Sequence, residues 1–282
     1  MKQKSAVIFG GTRGIGRVIA EHFVTDGYQV TIVARTNTQV AEAARILSEK
    51  GSAMGIVADV SEPREVREAI DRHMQAYTCL DAVVMASGIQ GPIGRTWETD
   101  PAVWRRTLMV NLLGCYNVSH AVLPLLMDRK GGSLIFFSGG GAAYARPRFS
   151  AYGCSKTGVL RLAETIHEEL LEDSNKDDLE TGIRIYAIAP GAVKTKMTDE
   201  VIASGGQAGG KAYQEALKTS EEGGTPPGKA AELCFFLAEE RPMCLSGRLI
   251  HVNEPYREYV SKFEGKDIGD SGLLRRQPYR VV

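Results

Sequence analysis

Ser5-Ala-Val-Ile-Phe9 is a short apolar run that ends in Gly10-Gly-Thr-Arg-Gly14-Ile-Gly16, and Arg17-Val-Ile-Ala-Glu-His-Phe-Val24 continues at helical spacing. A strand that passes through a glycine turn straight into a helix points the free N–H groups of the helix start at an anion such as a phosphate. The glycines permit the tight turn and a close backbone approach. Thr12, Arg13 and Ile15 share the turn with Gly10, Gly14 and Gly16, and all six are candidate contacts to such a group. The spacing is G-x-x-x-G-x-G rather than G-x-G-x-x-G, so the turn fixes the architecture more firmly than it fixes a ligand.

The pattern repeats along the chain. Gln29–Val33, Ala53–Ala58, Leu80–Gly88, Gly132–Phe137 and Ile183–Ile188 read as further strands, with Leu249–Val252 at the sheet edge. Between them lie helical stretches, among them Val40–Lys50, one beginning at Ser61-Glu-Pro63, and a long one from Pro101 through Asn111 to Met127. Strands that alternate with helices, and that are apolar on both faces, predict an α/β fold. The expected form is a single-domain, doubly wound parallel sheet of the Rossmann type, about seven strands with helices on both faces. Residues 1–253 are assigned to this domain and 254–282 to a C-terminal extension covering the active site or a subunit interface.

Composition narrows the partners. The 34 basic and 34 acidic residues cancel, so no long-range field draws the chain to nucleic acid or to a membrane surface. No stretch approaches the length of an apolar membrane span, and Met1-Lys-Gln-Lys-Ser5 does not read as a targeting peptide. The five cysteines are scattered without metal spacing, which predicts free thiols, a cytoplasmic protein and no metal.

In this architecture ligands bind at the carboxyl ends of the strands. The second strand ends in Ala34-Arg35-Thr36, where an acid would bind a ribose hydroxyl. With Arg35 there and Arg13 in the glycine turn, two guanidiniums favour a ribose phosphate, and hence NADP(H) over NAD(H). Ser150-Ala-Tyr152-Gly-Cys-Ser-Lys156 begins another helix and sets Tyr152 and Lys156 on one face. A nearby ammonium favours the phenolate, which makes an acid/base of a tyrosine. Asn111 interrupts the apolar run Leu108, Val110, Leu112 and Leu113, so its amide has to be hydrogen-bonded if buried.

Taken in order, the glycine turn, Asp59-Val60, Asn111, Tyr152-x-x-x-Lys156 and Pro190-Gly-Ala-Val-Lys-Thr195 resemble the short-chain dehydrogenase/reductase family over about Ser5 to Val252. The resemblance implies a nicotinamide cofactor on the glycine turn, with Asp59 and Val60 at the adenine edge. It implies Tyr152 as acid/base and Lys156 on the nicotinamide ribose. Asn111 would hold a relay water through its backbone, and Val193 and Thr195, beyond Pro190 and Gly191, would fix the carboxamide. Where the family has Asn-Asn-Ala-Gly, this chain has Met85-Ala86-Ser87-Gly88. The family's catalytic serine lies thirteen residues before the tyrosine, a position held here by Gly139, with Ser138 beside it. Either Ser138 takes the role or the serine is absent. Met197–Gly224 lies where the family keeps a mobile lid. The implied function is NADP(H)-dependent carbonyl–alcohol interconversion on a small molecule, by a homodimer or homotetramer. The alternatives are an NADP-binding protein with weak or lost redox activity, or epimerase or dehydratase chemistry at the same site.

Overall fold

The computed structural model describes residues 3–173, 182–266 and 269–275. Seven parallel strands form one sheet in the order β3-β2-β1-β4-β5-β6-β7. They are β1 (Ser5–Phe9), β2 (Gln29–Ala34), β3 (Ala53–Val57), β4 (Ala82–Met85), β5 (Gly132–Phe137), β6 (Ile183–Ala189) and β7 (Leu249–His251). β1 lies inside the sheet, with Ala6 opposite Val30 on one side and Ala82 on the other.

Successive residues of a strand face opposite sides of the sheet, and β1 feeds two cores accordingly. Ala6 and Ile8 join a cluster with Ile19 and Phe23 of α1 (Gly14–Thr25), Leu47 of α2 (Asn37–Ser48), and Leu237 of the later helix Pro227–Glu240. Val7 and Phe9 join another, with Val66 and Ile70 of α3 (Pro63–Tyr77), Val118 and Val122, and Val159 and Ala163. The strands therefore carry apolar residues on both faces, with a few buried polar exceptions such as Ser5, Thr31 and Ser133.

The long helix runs as α4 (Pro101–Leu108), one wide π turn (Met109–Leu113) and α5 (Gly114–Arg129). By length and composition it could cross a bilayer, contrary to the sequence reading. Its Val110, Cys115, Val118, Val122 and Leu126 instead belong to the core of the sheet. α6 (Ser150–Asp173) carries the tyrosine–lysine pair.

The segment expected to be a lid folds as α7 (Lys196–Ala203), a short 3-10 turn (Gly205–Ala208) and α8 (Gly210–Glu222), and α9 (Pro227–Glu240) follows. The extension after residue 253 begins with α10 (Tyr256–Phe263), whose Tyr256, Tyr259 and Val260 pack on the first core. Farther on, Leu249 donates its N–H to the Gly272 carbonyl at 2.9 Å, and Arg275 pairs with the buried Glu164 of α6. Glu164 lies about 18 Å along α6 from Tyr152, at 1.5 Å per residue. The described end of the extension thus rests on the sheet edge and on α6. The tail residues 276–282 and most of the polar stretch 172–181 lie outside the described residues.

Candidate active site

The carboxyl ends of β1, β4, β5 and β6 bring the singled-out residues together. The glycine turn is shaped by contacts that only glycine allows. Gly10 has φ +83°, and a Cβ there would stand 2.7 Å from the Ser87 nitrogen. A Cβ on Gly16 would stand 2.3 Å from the Gly10 carbonyl oxygen. Gly14 is less crowded, with the Thr195 methyl in ordinary contact 3.9 Å from where its Cβ would be. Ile15 packs into the first core and anchors the turn. α1 starts with no acid in its first turn and no side-chain cap from Arg13, so its leading N–H groups are free for an anion. This open cradle, bounded by the turn, Ala86-Ser87-Gly88 and Thr195, fits the phosphates of a dinucleotide.

Arg35 and Arg13 are exposed at its rim, with Thr36 starting α2. Sequence reading found no acid near Arg35, yet the Asp59 carboxylate lies 3.8 Å away. That carboxylate is otherwise engaged. It accepts from Arg106 Nη2 at 2.6 Å and from the Ser61 N–H and hydroxyl at 2.9 and 2.8 Å. Burial alone would raise the Asp59 pKa, but the Ser61 hydrogen bonds and the Arg106 guanidinium hold it below the usual carboxylate range. Val60 is buried behind it and its carbonyl accepts from Asn117 Nδ2 at 2.9 Å.

The π turn carries Asn111 into the core, fully buried. Its Nδ2 donates to the Ile89 carbonyl and to Ser155 Oγ, each at 3.0 Å, and its Oδ1 accepts from the Ile89 N–H at 2.9 Å. The side chain therefore clamps the loop after β4, in addition to any role of its backbone, whose carbonyl accepts from Cys115 Sγ at 3.2 Å. A wide turn was invisible in the sequence; its signal was the amide itself inside an apolar run.

Tyr152 and Lys156 lie in the first two turns of α6, both buried. Lys156 Nζ donates to the Phe137 carbonyl at the end of β5 at 2.8 Å and stands 5.7 Å from the Tyr152 ring centroid. Burial pushes the lysine pKa down and the tyrosine pKa up. Burial dominates at Tyr152, and the Arg146 guanidinium opposes it; sequence reading missed Arg146 because it lies in an aperiodic loop that offered no signal.

Ser138, the candidate for the serine's role, makes no hydrogen bond to Tyr152 among the described residues. The Ser138 N–H still follows the ladder, donating to the Ile188 carbonyl at 2.8 Å. Its hydroxyl is buried, and no hydrogen-bond partner is found for it among the described residues. Gly139, one step beyond the ladder, is the residue that faces Tyr152, with only 2.4 Å between its Cβ position and the phenol oxygen.

At the end of β6, Gly191 has φ +75° and the Thr225 N–H donates to the Ala192 carbonyl at 2.7 Å. Val193 bridges to Gly224, which ties Pro190–Thr195 to the far end of the lid. Phe149, Tyr152, Val201, Ala208 and Ala216 form a small core, with Ile93, Met197, Ile202 and Tyr213 packed against it. The lid thus shares one small apolar core with Phe149 and Tyr152. Such a core excludes water from a group that has to exchange a proton.

The geometry matches known proteins. A family model described as short chain dehydrogenase matches residues 4–204. A short-chain dehydrogenase/reductase of Armillaria gallica is 31% identical over 255 residues, covering 88% of this chain and 94% of its own. A solved gluconate 5-dehydrogenase from Burkholderia cenocepacia, in complex with NADP and tartrate, is 25% identical with a TM-score of 0.74, covering 89% of this chain and 94% of its own. A xylitol dehydrogenase solved with NAD+ shares the fold at a TM-score of 0.78 and 18% identity, over 88% of this chain and 96% of that one. The family model over most of the chain and the 31%-identical relative together show that this chain belongs to the short-chain dehydrogenase/reductase family.

Proposed function

We propose that the chain is an NADP(H)-dependent oxidoreductase that interconverts a carbonyl and a secondary alcohol, with Tyr152 as its acid/base. The observation that carries this reading is the buried Tyr152–Lys156 pair beneath an apolar lid, beside a glycine cradle open toward Thr195. Gly10, Thr12, Arg13, Gly14, Ile15 and Gly16 would hold the pyrophosphate, and Arg13 and Arg35 the ribose phosphate. The NADP in the Burkholderia gluconate dehydrogenase supports that choice, while the NAD+ in the xylitol dehydrogenase belongs to a more distant relative. Asp59 and Val60 would border the adenine. Ala86, Ser87, Gly88, Pro190, Gly191, Val193 and Thr195 would line the nicotinamide half. The bound cofactor supplies or takes the hydride.

The chain's own residues do the rest. Lys156, fixed by the Phe137 carbonyl, keeps a proton donor near the ribose and the phenol. Tyr152 gives its proton to the substrate oxygen in reduction and takes it back in oxidation. Asn111 and Ile89 hold the loop against which the substrate and cofactor meet. Self-association is part of the reading, because Leu113, Tyr116 and Met127 form an exposed apolar stripe along the Pro101–Arg129 helix.

Gly139 favours a second reading, an NADP-binding protein with weak redox chemistry, since it removes a hydroxyl from the reacting oxygen. The two separate on one experiment. NADPH absorbance is followed against a panel of cyclic ketones, keto sugars, oxo acids and oxoacyl thioesters. The first reading expects turnover, and expects Tyr152→Phe to lower kcat by roughly 10² to 10⁴ while NADPH affinity stays near wild type. A wild-type enzyme that binds NADPH and turns over no member of the panel supports the second.

A further inference from the structure

If Tyr152 is the acid/base, the reacting oxygen has one donor from α6 and needs a second source of positive charge. Residue 139 supplies none, and the Cβ position there is already within 2.4 Å of the phenol oxygen. The rest of the glycine run makes room for another group. A Cβ on Gly140 would meet the Tyr144 hydroxyl at 3.2 Å and Arg146 Nη1 at 3.7 Å. Gly141, at φ +94°, would place its Cβ 3.1 Å from that of Arg146. Gly139–Gly141 is therefore packed by Tyr152 at one end and by Arg146 at the other.

Arg146 is itself held in place. Its guanidinium carbon lies 3.8 Å from the centroid of the Phe149 ring, and Phe149 is fully buried in the same small core as Tyr152. Stacking occupies the flat face of the guanidinium and leaves its N–H edge available. Among the described residues Arg146 has no acidic partner to neutralise it.

We propose that Arg146 is the group that stabilises negative charge at the reacting oxygen in this enzyme, in place of the hydroxyl that residue 139 lacks. The proposal rests on the reading of the site as one for carbonyl–alcohol interconversion. When hydride reaches the carbonyl carbon, the π pair moves onto the oxygen, which takes the proton of Tyr152 and leaves a phenolate. In the reverse direction the phenolate takes the alcohol proton. In both directions an anionic oxygen forms at the Tyr152 end of the glycine run that Arg146 packs from its other end, where a fixed positive charge in a water-poor site acts strongly. The same charge opposes the effect of burial on Tyr152. The other ionisable groups that bear on the phenol are Tyr144 of the same loop and Lys156 of α6, which in turn faces Cys115 of α5.

The test has a readout that needs no substrate. The phenolate absorbance of wild type minus that of Tyr152→Phe isolates Tyr152, and its midpoint is measured by pH titration in otherwise wild-type, Arg146→Gln and Arg146→Lys backgrounds. Arg146→Gln should raise the midpoint by about one unit, and Arg146→Lys, which keeps the charge, should restore part of it. With NADPH and diacetyl as the probe ketone, Arg146→Gln should lower kcat by about tenfold to a hundredfold with little change in KM. Melting temperatures establish that the variants are folded. An active wild type in which Arg146→Gln moves neither midpoint nor kcat overturns the proposal alone. So does a folded Arg146→Lys that behaves like Arg146→Gln, since a packing role would not depend on charge. A midpoint that moves in an enzyme that reduces no carbonyl supports the effect of Arg146 on Tyr152 and removes the carbonyl reading instead.

Discussion

Asn111→Leu isolates the clamp on the loop after β4. Leucine keeps the branched shape of asparagine but is larger, so the fully buried site gains no void. It does remove the partner of the Ile89 N–H at 2.9 Å and of the Ile89 carbonyl at 3.0 Å. Ser155 Oγ loses a donor but still bonds the Tyr152 carbonyl at 2.7 Å, so it is not orphaned. Each stranded backbone group costs about 1 to 3 kcal/mol, and the added apolar surface returns about 1 kcal/mol. The net loss comes to about 3 kcal/mol. For a chain of this size that lowers Tm by roughly 6 to 12 °C. Scanning calorimetry or circular dichroism of wild type and variant measures it. Cofactor titration should show weaker NADPH binding as well, because Gly88 and Ile89 border the site. A Tm within about 2 °C of wild type would refute the argument, since the loop would then be held by something other than Asn111.

Arg35→Asp should reverse the cofactor preference, shifting the ratio of NADPH to NADH affinity by about tenfold or more; equal affinities in wild type would remove the basis for choosing NADP(H). Gly139→Ser should slow turnover rather than restore it, because its Cβ forces the buried Tyr152 ring to move, at a stability cost of about 1 to 3 kcal/mol; a faster enzyme would show that the tyrosine yields and that the missing hydroxyl was limiting. His73, fully buried between Ser5 and Thr31, has its pKa lowered from 6.5 to about 4 by burial. The unfolded chain then binds the proton first, so this contribution to stability is complete above pH 6.5 and is lost as pH falls toward 4, on the order of 3 kcal/mol. Tm measured across that window should fall less steeply in His73→Gln, with His167, also lowered to about 4 by burial, leaving a residual slope; an unchanged slope would exclude His73 as a source of it.

The layers of the fold were legible because a buried parallel strand is apolar on both faces. Ser5–Phe9 and Gly132–Phe137 carry that signal to the residue. Other features depend on partners far away in sequence. Met197–Gly224, expected as a mobile lid, instead folds as two helices joined by a 3-10 turn and shares a small core with Phe149 and Tyr152. The Asp59–Arg106 pair joins residues 47 apart, and no local pattern announces it. At the site, residue types carried the glycine turn, Asn111 and the Tyr152–Lys156 pair. They could not show that Gly139 faces the phenol or that Arg146 stands behind it, because both follow from how one loop packs.

The strand order bears on how the sheet is made. Once β1, β2 and β3 have emerged from the ribosome, β4, β5, β6 and β7 each join at the same growing margin, in the order of translation. Until the next strand arrives, that margin offers a row of unpaired backbone groups to any neighbouring nascent chain. β7 would leave it open for good, but the Leu249 N–H finds the Gly272 carbonyl. Among the described residues the segment around residue 272 is the last to reach the sheet, and its arrival covers part of the margin at which two unfinished molecules can join edge to edge.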